Sequence, residues 1–327
     1  MRDARRRLLF AGGALLAPST LLAQPKAQKV ARIGWLGAGF GGSQRALETF
    51  RQRLRELHYV ETRDVALEVV WADPEQTKVP ALAKELAQRK VDVIVVGGTT
   101  GAKSTLSAVS GIPIVAAGAS DLAEAGLVKS IARPGGDLTG ISVNSPDAGT
   151  KQTELMREII PNARRVAVLW QGPRTPFLER QRKEVEATLT SRLELSWHTA
   201  RVRADIAPAF AAIQIFRPEF LVVLTDPVAF SNRKEMAGYA AKAKIPAVYG
   251  FREFVEDGGL ASYGANILQS FRLAADYVDR ILKGAKPADM PVQMPTKLEL
   301  AVNISAARAV GLSFPQAVLA RADLIVP

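Results

Sequence analysis

The chain contains no cysteine among its 327 residues. That absence excludes disulfides, thiolate metal sites, a cysteine nucleophile and an acylated lipoprotein cysteine. Histidine is nearly absent too, present only as His58 and His198. His58 stands where a helix should end and suits a C-cap better than chemistry. His198 falls inside a strand with no recognisable partner. No G-x-S-x-G elbow and no H-E-x-x-H pair occurs, so neither common hydrolase constellation is available. Beyond the first two dozen residues, no apolar run approaches the roughly 20 residues that span a bilayer. The expectation is a protein that is not an enzyme, with no catalytic residue, no metal and no cofactor.

The first residues carry an address. Arg5, Arg6 and Arg7 precede an apolar stretch at 8–17, and Leu21-Leu22-Ala23 offers a cleavage site. This is the layout of a secretory signal peptide over residues 1–23, and the adjacent arginines also admit twin-arginine export. The expected location is periplasmic, exported and without a lipid anchor, away from soluble NAD and ATP. Residues 1–23 hold four arginines and one aspartate, so their removal takes the net charge from +11 to +8. The remaining basic residues are interspersed with acids, as Arg51, Arg53 and Arg55 are with Glu48 and Glu56. Solvated helix faces explain that pattern, and no nucleic acid partner is expected.

After a polar linker at 24–29, apolar strands alternate with amphipathic helices. Strands are predicted at 30–36, 65–71, 91–96 and 112–116, with helices at 43–57, 79–88 and 99–110. Leu47, Phe50, Leu54 and Leu57 fall on one face of the first helix. A turn-rich break at 133–137 follows, and the pattern restarts with strands at 165–170, 193–199, 220–224 and 247–249. Helices are predicted at 175–190, 206–216 and 231–244. A strand at 260–263, a helix at 267–282, a proline-punctuated connection and a small tail complete the chain. The fold class is α/β, with two similar halves whose parallel sheets are covered on both faces.

Gly37-Ala38-Gly39-Phe40-Gly41-Gly42 satisfies G-x-G-x-x-G after a strand and before a helix. One reading is dinucleotide binding, with Glu68 or Asp73 as the ribose acid and NAD(P)-dependent oxidoreduction as the activity. The preferred reading is a flexible loop whose backbone N–H groups rim a pocket.

Several segments, in order, resemble the extracytoplasmic substrate-binding proteins of ABC transporters, specifically the tryptophan/tyrosine-type family. They are FRQRLRELHYV at 50–60, KVDVIVVG at 90–97, IPIVA at 112–116, SDLAEAGLV at 120–128 and ARPGGDLTGIS at 132–142. Tyr263-Gly264, ADYVDRILKG at 275–284, KPADMPV at 286–292 and AVGLSFP at 309–315 continue the match. The resemblance implies a type I periplasmic-binding fold: two Rossmann-like lobes, joined by a three-crossing hinge, closing on a small molecule. Lobe 1 is expected to span 30–143 plus about 252–286, and lobe 2 to span 144–251 plus about 287–327. The implied partners are a small organic ligand, such as an amino acid or another carboxylated or aromatic metabolite, and an ABC permease with its cytoplasmic ATPase. A monomer is expected. A ligand-sensing module for a membrane receptor would share the fold. Three positions depart from the family: His58 replaces a glycine, Ser120-Asp121-Leu122 lacks a proline, and Asn266 stands where an aspartate is frequent. The last change removes a carboxylate that a ligand ammonium would meet.

Ligands of open parallel sheets bind beyond the carboxyl ends of the strands. Lobe 1 then offers Gly39, Phe40, Ser43, Thr99, Thr100, Ser120 and Asp121; lobe 2 offers Trp170, Gln171, Asp226, Phe230 and Tyr249, with Phe251 beside it. Thr99 and Thr100 open a helix and either hold a ligand carboxylate or supply an ordinary N-cap. Trp170 and Phe230 either sandwich a planar ligand or pack in the core. Asp226 either pairs a ligand amine or caps the helix that starts near Pro227. Tyr263 lines the cleft or the hinge.

Overall fold

In the first strand, Ile33 and Trp35 alternate with Gly34 and Leu36, a period-2 pattern with apolar residues on both faces. The computed structural model, which describes residues 30–72, 76–120, 122–144, 148–173, 176–188 and 193–327, buries both faces. The leader and Asp121 lie outside the described residues. The first lobe runs β1 (Ala31–Gly37), α1 (Gln44–Glu56), β2 (Val65–Trp71), α2 (Val79–Gln88), β3 (Val93–Gly97), α3 (Gly98–Ala108), β4 (Ile114–Ala119) and β5 (Leu138–Ser142). Its five strands are all parallel, in the order β2-β1-β3-β4-β5.

The second lobe continues with α4 (Ala148–Ile159), β6 (Arg165–Trp170), α5 (Pro176–Thr188), β7 (Glu194–Thr199), α6 (Ile206–Phe216), β8 (Phe220–Val223), α7 (Pro227–Ser231), α8 (Arg233–Lys242), β9 (Ala247–Tyr249), α9 (Arg252–Glu256) and β10 (Ala261–Ala265). The chain returns to the first lobe as α10 (Ile267–Leu282), which packs against α1, β4 and β5. It re-enters the second lobe as β11 (Leu298–Asn303), α11 (Ile304–Ala309), α12 (Gln316–Ala320) and β12 (Leu324–Val326). The second sheet has the order β12-β11-β10-β9-β8-β6-β7 and is parallel except where β10 meets β11.

The chain thus passes between lobes three times: after Ser142, at Asn266, and between Gln293 and Leu298. The division differs from the expected one at two places. Residues 252–265, expected in lobe 1, form α9 and β10 of the second lobe, where Ala261 and Ser262 pair with Val248 and Tyr249. The true return is Asn266, whose side chain accepts from Gln269 N at 3.0 Å and starts α10. Residues 287–293, expected in lobe 2, stay on the first lobe, where Thr139 Oγ1 donates to Met290 O at 2.7 Å and Gln293 N to Gly140 O at 3.0 Å.

Period-2 alternation sets the cores. Ile33, Trp35, Val93 and Val95 face α1 and α10, while Leu36, Ile94 and Val96 face α2 and α3. The first of these clusters continues through the seam into the second lobe, to Phe210, Met236 and Phe254. Among the described residues, no helix is long and apolar enough to cross a membrane.

Candidate functional site

The carboxyl ends of both sheets meet at the seam. The turn after β1, Gly39–Gly41, carries Phe40 across it, and Gly39 adopts φ 51°, a left-handed conformation that glycine takes without penalty. Phe40 meets Phe230 of α7 at 5.2 Å between ring centroids and Phe251 at 5.1 Å, both edge-on; Phe230 and Phe251 are 5.5 Å apart. All three rings are buried. Edge-to-face pairs contribute about 0.5–1.5 kcal/mol each beyond the area they bury, so this triad holds the lobes together. Two ion pairs flank it: Arg180 to Glu124 at 2.7 Å, and Arg45 to Glu256. Partly exposed pairs such as these contribute about 0.2–1 kcal/mol.

Beside the triad lies a groove of about 400 Å³, open to solvent and walled by both lobes. Gln76, Thr99, Thr100, Lys103, Ser104, Glu124 and Ala125 line it from lobe 1. Gln171, Pro176, Arg201, Val202, Arg203, Pro227, Val228, Ser231 and Asn232 line it from lobe 2.

Of the residues expected from sequence, the structure brings Thr99, Thr100 and Gln171 to this groove. Neither threonine caps α3: its N-cap is Gly97, with no side-chain cap bond, and Thr99 Oγ1 instead accepts from Ser120 N at 2.8 Å. The amide groups of the first turn of α3 therefore remain without a cap at the groove wall. Ser120 is half-buried behind Thr99, and its carbonyl accepts from Ser142 Oγ at 2.9 Å. Ser43 caps α1, accepting from Ala46 N at 3.2 Å. Asp226 is buried and caps α7, accepting from Ala229 N at 2.7 Å. Trp170 packs on Trp197 at 5.2 Å in the second-lobe core, and Tyr249 stacks on Phe254 at 4.4 Å. Burial pushes the Tyr249 hydroxyl up from its ordinary range. The Tyr263 carbonyl accepts from Gln152 Nε2 at 3.0 Å beside α4.

Asn266 sits at the second crossing, where its Nδ2 donates to Glu299 Oε1 at 3.0 Å. An aspartate there would set two carboxylates against each other; the amide satisfies the pair. His58 has φ 68° immediately after α1 and its N–H donates to Arg55 O at 2.9 Å, as expected of a helix terminus. The turn that matches the dinucleotide motif is packed by its own neighbours, with Gly41 against the backbone of Gly97 and Phe40 in the triad.

Gln76, Lys103, Ser104, Arg201, Arg203 and Asn232 were missed. Gln76 follows β2 and Arg201 follows β7, so the strand-end rule applied to those two strands points to both.

Two carboxylates of the second lobe, Asp226 and Glu253, are buried. Glu253 is 3% exposed, and neither of its oxygens has a hydrogen-bond partner from another residue among the described ones. Burial, reinforced by nearby Glu256 and opposed by Arg45 and Arg233, pushes it up to about 7. Burial also pushes Asp226 up to about 7, against the backbone donors Ala229 and Val228. A carboxyl group whose folded pKa is raised gives stability that is full below its unfolded pKa and lost as pH rises through the folded one. Stability is therefore expected to fall between pH 5 and pH 8, by on the order of 2–3 kcal/mol for Glu253. Carboxylates held low by arginines, such as Glu56 at about 2, lose their contribution only in more acid solution. Thermal melts of the parent and Glu253→Gln at pH 5, 6.5 and 8 check this. The difference between the two should change steadily with pH, and a constant difference contradicts it.

Residues 42–326 match the family model described as ABC transporter substrate binding protein. A tyrosine-binding protein of Clostridioides difficile (strain R20291) is 23% identical over 269 residues, 82% of this chain and 77% of that protein. A conserved domain protein from Vibrio cholerae O1 biovar El Tor superposes with a TM-score of 0.81 at 29% identity, covering 91% of this chain and all 100% of that one. The ABC domain from Streptococcus pneumoniae, solved in complex with L-Trp, gives a TM-score of 0.82 at 25% identity with the same coverage, 91% and 100%. Two parallel-dominated lobes, three crossings and a groove at their carboxyl ends agree with this match along nearly the whole described chain, which belongs to the family of ABC transporter substrate-binding proteins.

Proposed function

We propose that the protein captures a small organic ligand, an amino acid or another carboxylated or aromatic metabolite, and delivers it to an ABC importer. It works as a monomer in the periplasm, presenting its closed form to a permease whose ATPase is cytoplasmic. The observation that carries this reading is the two-walled groove, with the uncapped first turn of α3 on one side and Gln171, Arg201 and α7 on the other. A helix N-terminus without a cap attracts a carboxylate through its free N–H groups and its dipole. A ligand held by both walls favours the closed arrangement because only there does it touch both lobes. The tyrosine-binding relative and the L-Trp complex support amino acids as the starting class.

The test is mass spectrometry of small molecules released by denaturing protein purified under native conditions, followed by a thermal-shift screen with the released compounds. The expected result is one carboxylated compound at near-stoichiometric amount that raises the melting temperature when added back. A protein that releases nothing, and whose melting temperature responds to no carboxylated metabolite, contradicts the proposal.

A further inference from the structure

We infer that Glu253 is a proton-operated latch of the interlobe seam: protonated, it lets the lobes close, and ionised, it drives them apart. The inference rests on the binding function proposed above and adds its regulation.

Glu253 is the second residue of α9, and contacts across the seam bracket it. Two residues earlier, Phe251 meets Phe40 of the first lobe at 5.1 Å between ring centroids. Three residues later, and so on the same helix face, Glu256 pairs with Arg45 of α1 across the seam and with Arg252 at 3.0 Å. On the α8 side, Arg233 lies 4.9 Å over the ring of Phe230, another member of the triad, and pairs with Asp257 at 2.8 Å. Toward the second sheet, Arg252 also reaches Glu299 of β11 at 3.4 Å. The cations that act on Glu253 are Arg45 and Arg233, and the anion is Glu256. Both arginines are committed to other carboxylates. Neither oxygen of Glu253 has a hydrogen-bond partner from another residue among the described ones. An unpaired buried charge is costly, and a carboxyl group so placed takes a proton instead.

This enclosure belongs to the closed arrangement. Separating the lobes withdraws Phe40 and Arg45 from α9 and admits water to the face that carries Glu253. A hydrated glutamate titrates near its ordinary value of about 4.3, whereas burial holds Glu253 up to about 7. The closed form therefore binds the extra proton. Its advantage is full below the ordinary value and is lost as pH rises through 7. Asp226, the other buried carboxyl group, lacks this dependence on closure. It accepts from Ala229 N at 2.7 Å within α7, a donor that stays with it whether the lobes are together or apart.

The experiment is a pH titration of the full mature chain, stripped of endogenous ligand by unfolding and refolding. Spin labels on Ser104→Cys and Ser231→Cys, on opposite groove walls, report the interlobe distance. From pH 8 to pH 5 the ratio of short to long distances is expected to rise by about tenfold or more. Glu253→Gln keeps the shape and stays neutral, so it should hold the ratio high and level across that range. Glu253→Met, also neutral and similar in length, takes its place if the glutamine variant does not refold. Asp226→Asn should keep the parental slope. A ratio that does not respond to pH, or a response that survives the neutral substitution at Glu253, overturns the latch. Neither result needs a ligand, so the binding function is judged separately, by the small molecules that native protein releases.

Discussion

Gly97→Ala is expected to abolish ligand capture and to lower the unfolding free energy by about 3 kcal/mol or more. Gly97 ends β3 and is the N-cap of α3, so it supports the groove wall directly. A Cβ there would stand 2.3 Å from both Ala38 O and Gly41 N, and 2.9 Å from Gly41 Cα. All three are backbone atoms of the turn that carries Phe40. No rotamer change relieves such a contact, so the turn after β1 must move, and the aromatic triad moves with it. Urea denaturation and calorimetry check both effects. Gly238→Ala is the control: it lies inside α8 with nothing near its added Cβ, so alanine should stabilise by roughly 0.5–1 kcal/mol. A Gly97→Ala protein with parental stability and affinity would show that the turn is loosely seated.

Trp35→Ala is expected to cost about 3–5 kcal/mol, the second large effect. Trp35 is fully buried between Phe50 of α1 and Phe271 of α10, at ring distances of 5.4 and 5.5 Å. It ties to the first sheet the helix that returns from the second lobe, so the loss should also loosen the crossing at Asn266. Trp35→Phe should cost much less than the lost volume suggests. The indole Nε1 is buried without a partner among the described residues, and removing such a group recovers a desolvation penalty of about 1–3 kcal/mol. Equal losses for the alanine and phenylalanine variants in denaturant titrations would contradict this reading.

The fold was legible wherever the apolar pattern was continuous. β1 and β3 show it on both faces, and α1 and α10 carry their apolar residues at helical spacing. β5 and α4 went unread. Leu138-Thr-Gly-Ile-Ser has two apolar side chains in five, and α4 buries Gln152 and Thr153 among its contacts, so neither looks like a core element in sequence. The expected lobe boundary after residue 251 falls fifteen residues early, because the return is signalled by the cap at Asn266 before an amphipathic helix.

The groove was legible in part. Thr99, Thr100 and Gln171 follow from the strand-end rule, and so would Gln76 and Arg201 had it been extended to β2 and β7. Trp170 and Tyr249 illustrate what the rule lacks. In a strand covered on both faces, an apolar residue near the end gives no sign of whether it faces the cleft or a core. Both of these turn to the core.

The absence of cysteine makes the decisive measurement clean, because two introduced thiols are the only ones in the molecule. Ser104→Cys and Ser231→Cys place labels on opposite walls of the groove, and spin–spin distances between them report whether the lobes clamp a guest. Protein carrying its native ligand should give one short, narrow distance, and stripped protein a longer and broader distribution that narrows when ligand is restored. Identical distributions in loaded and stripped protein, with the ligand demonstrably bound, would contradict closure around this groove.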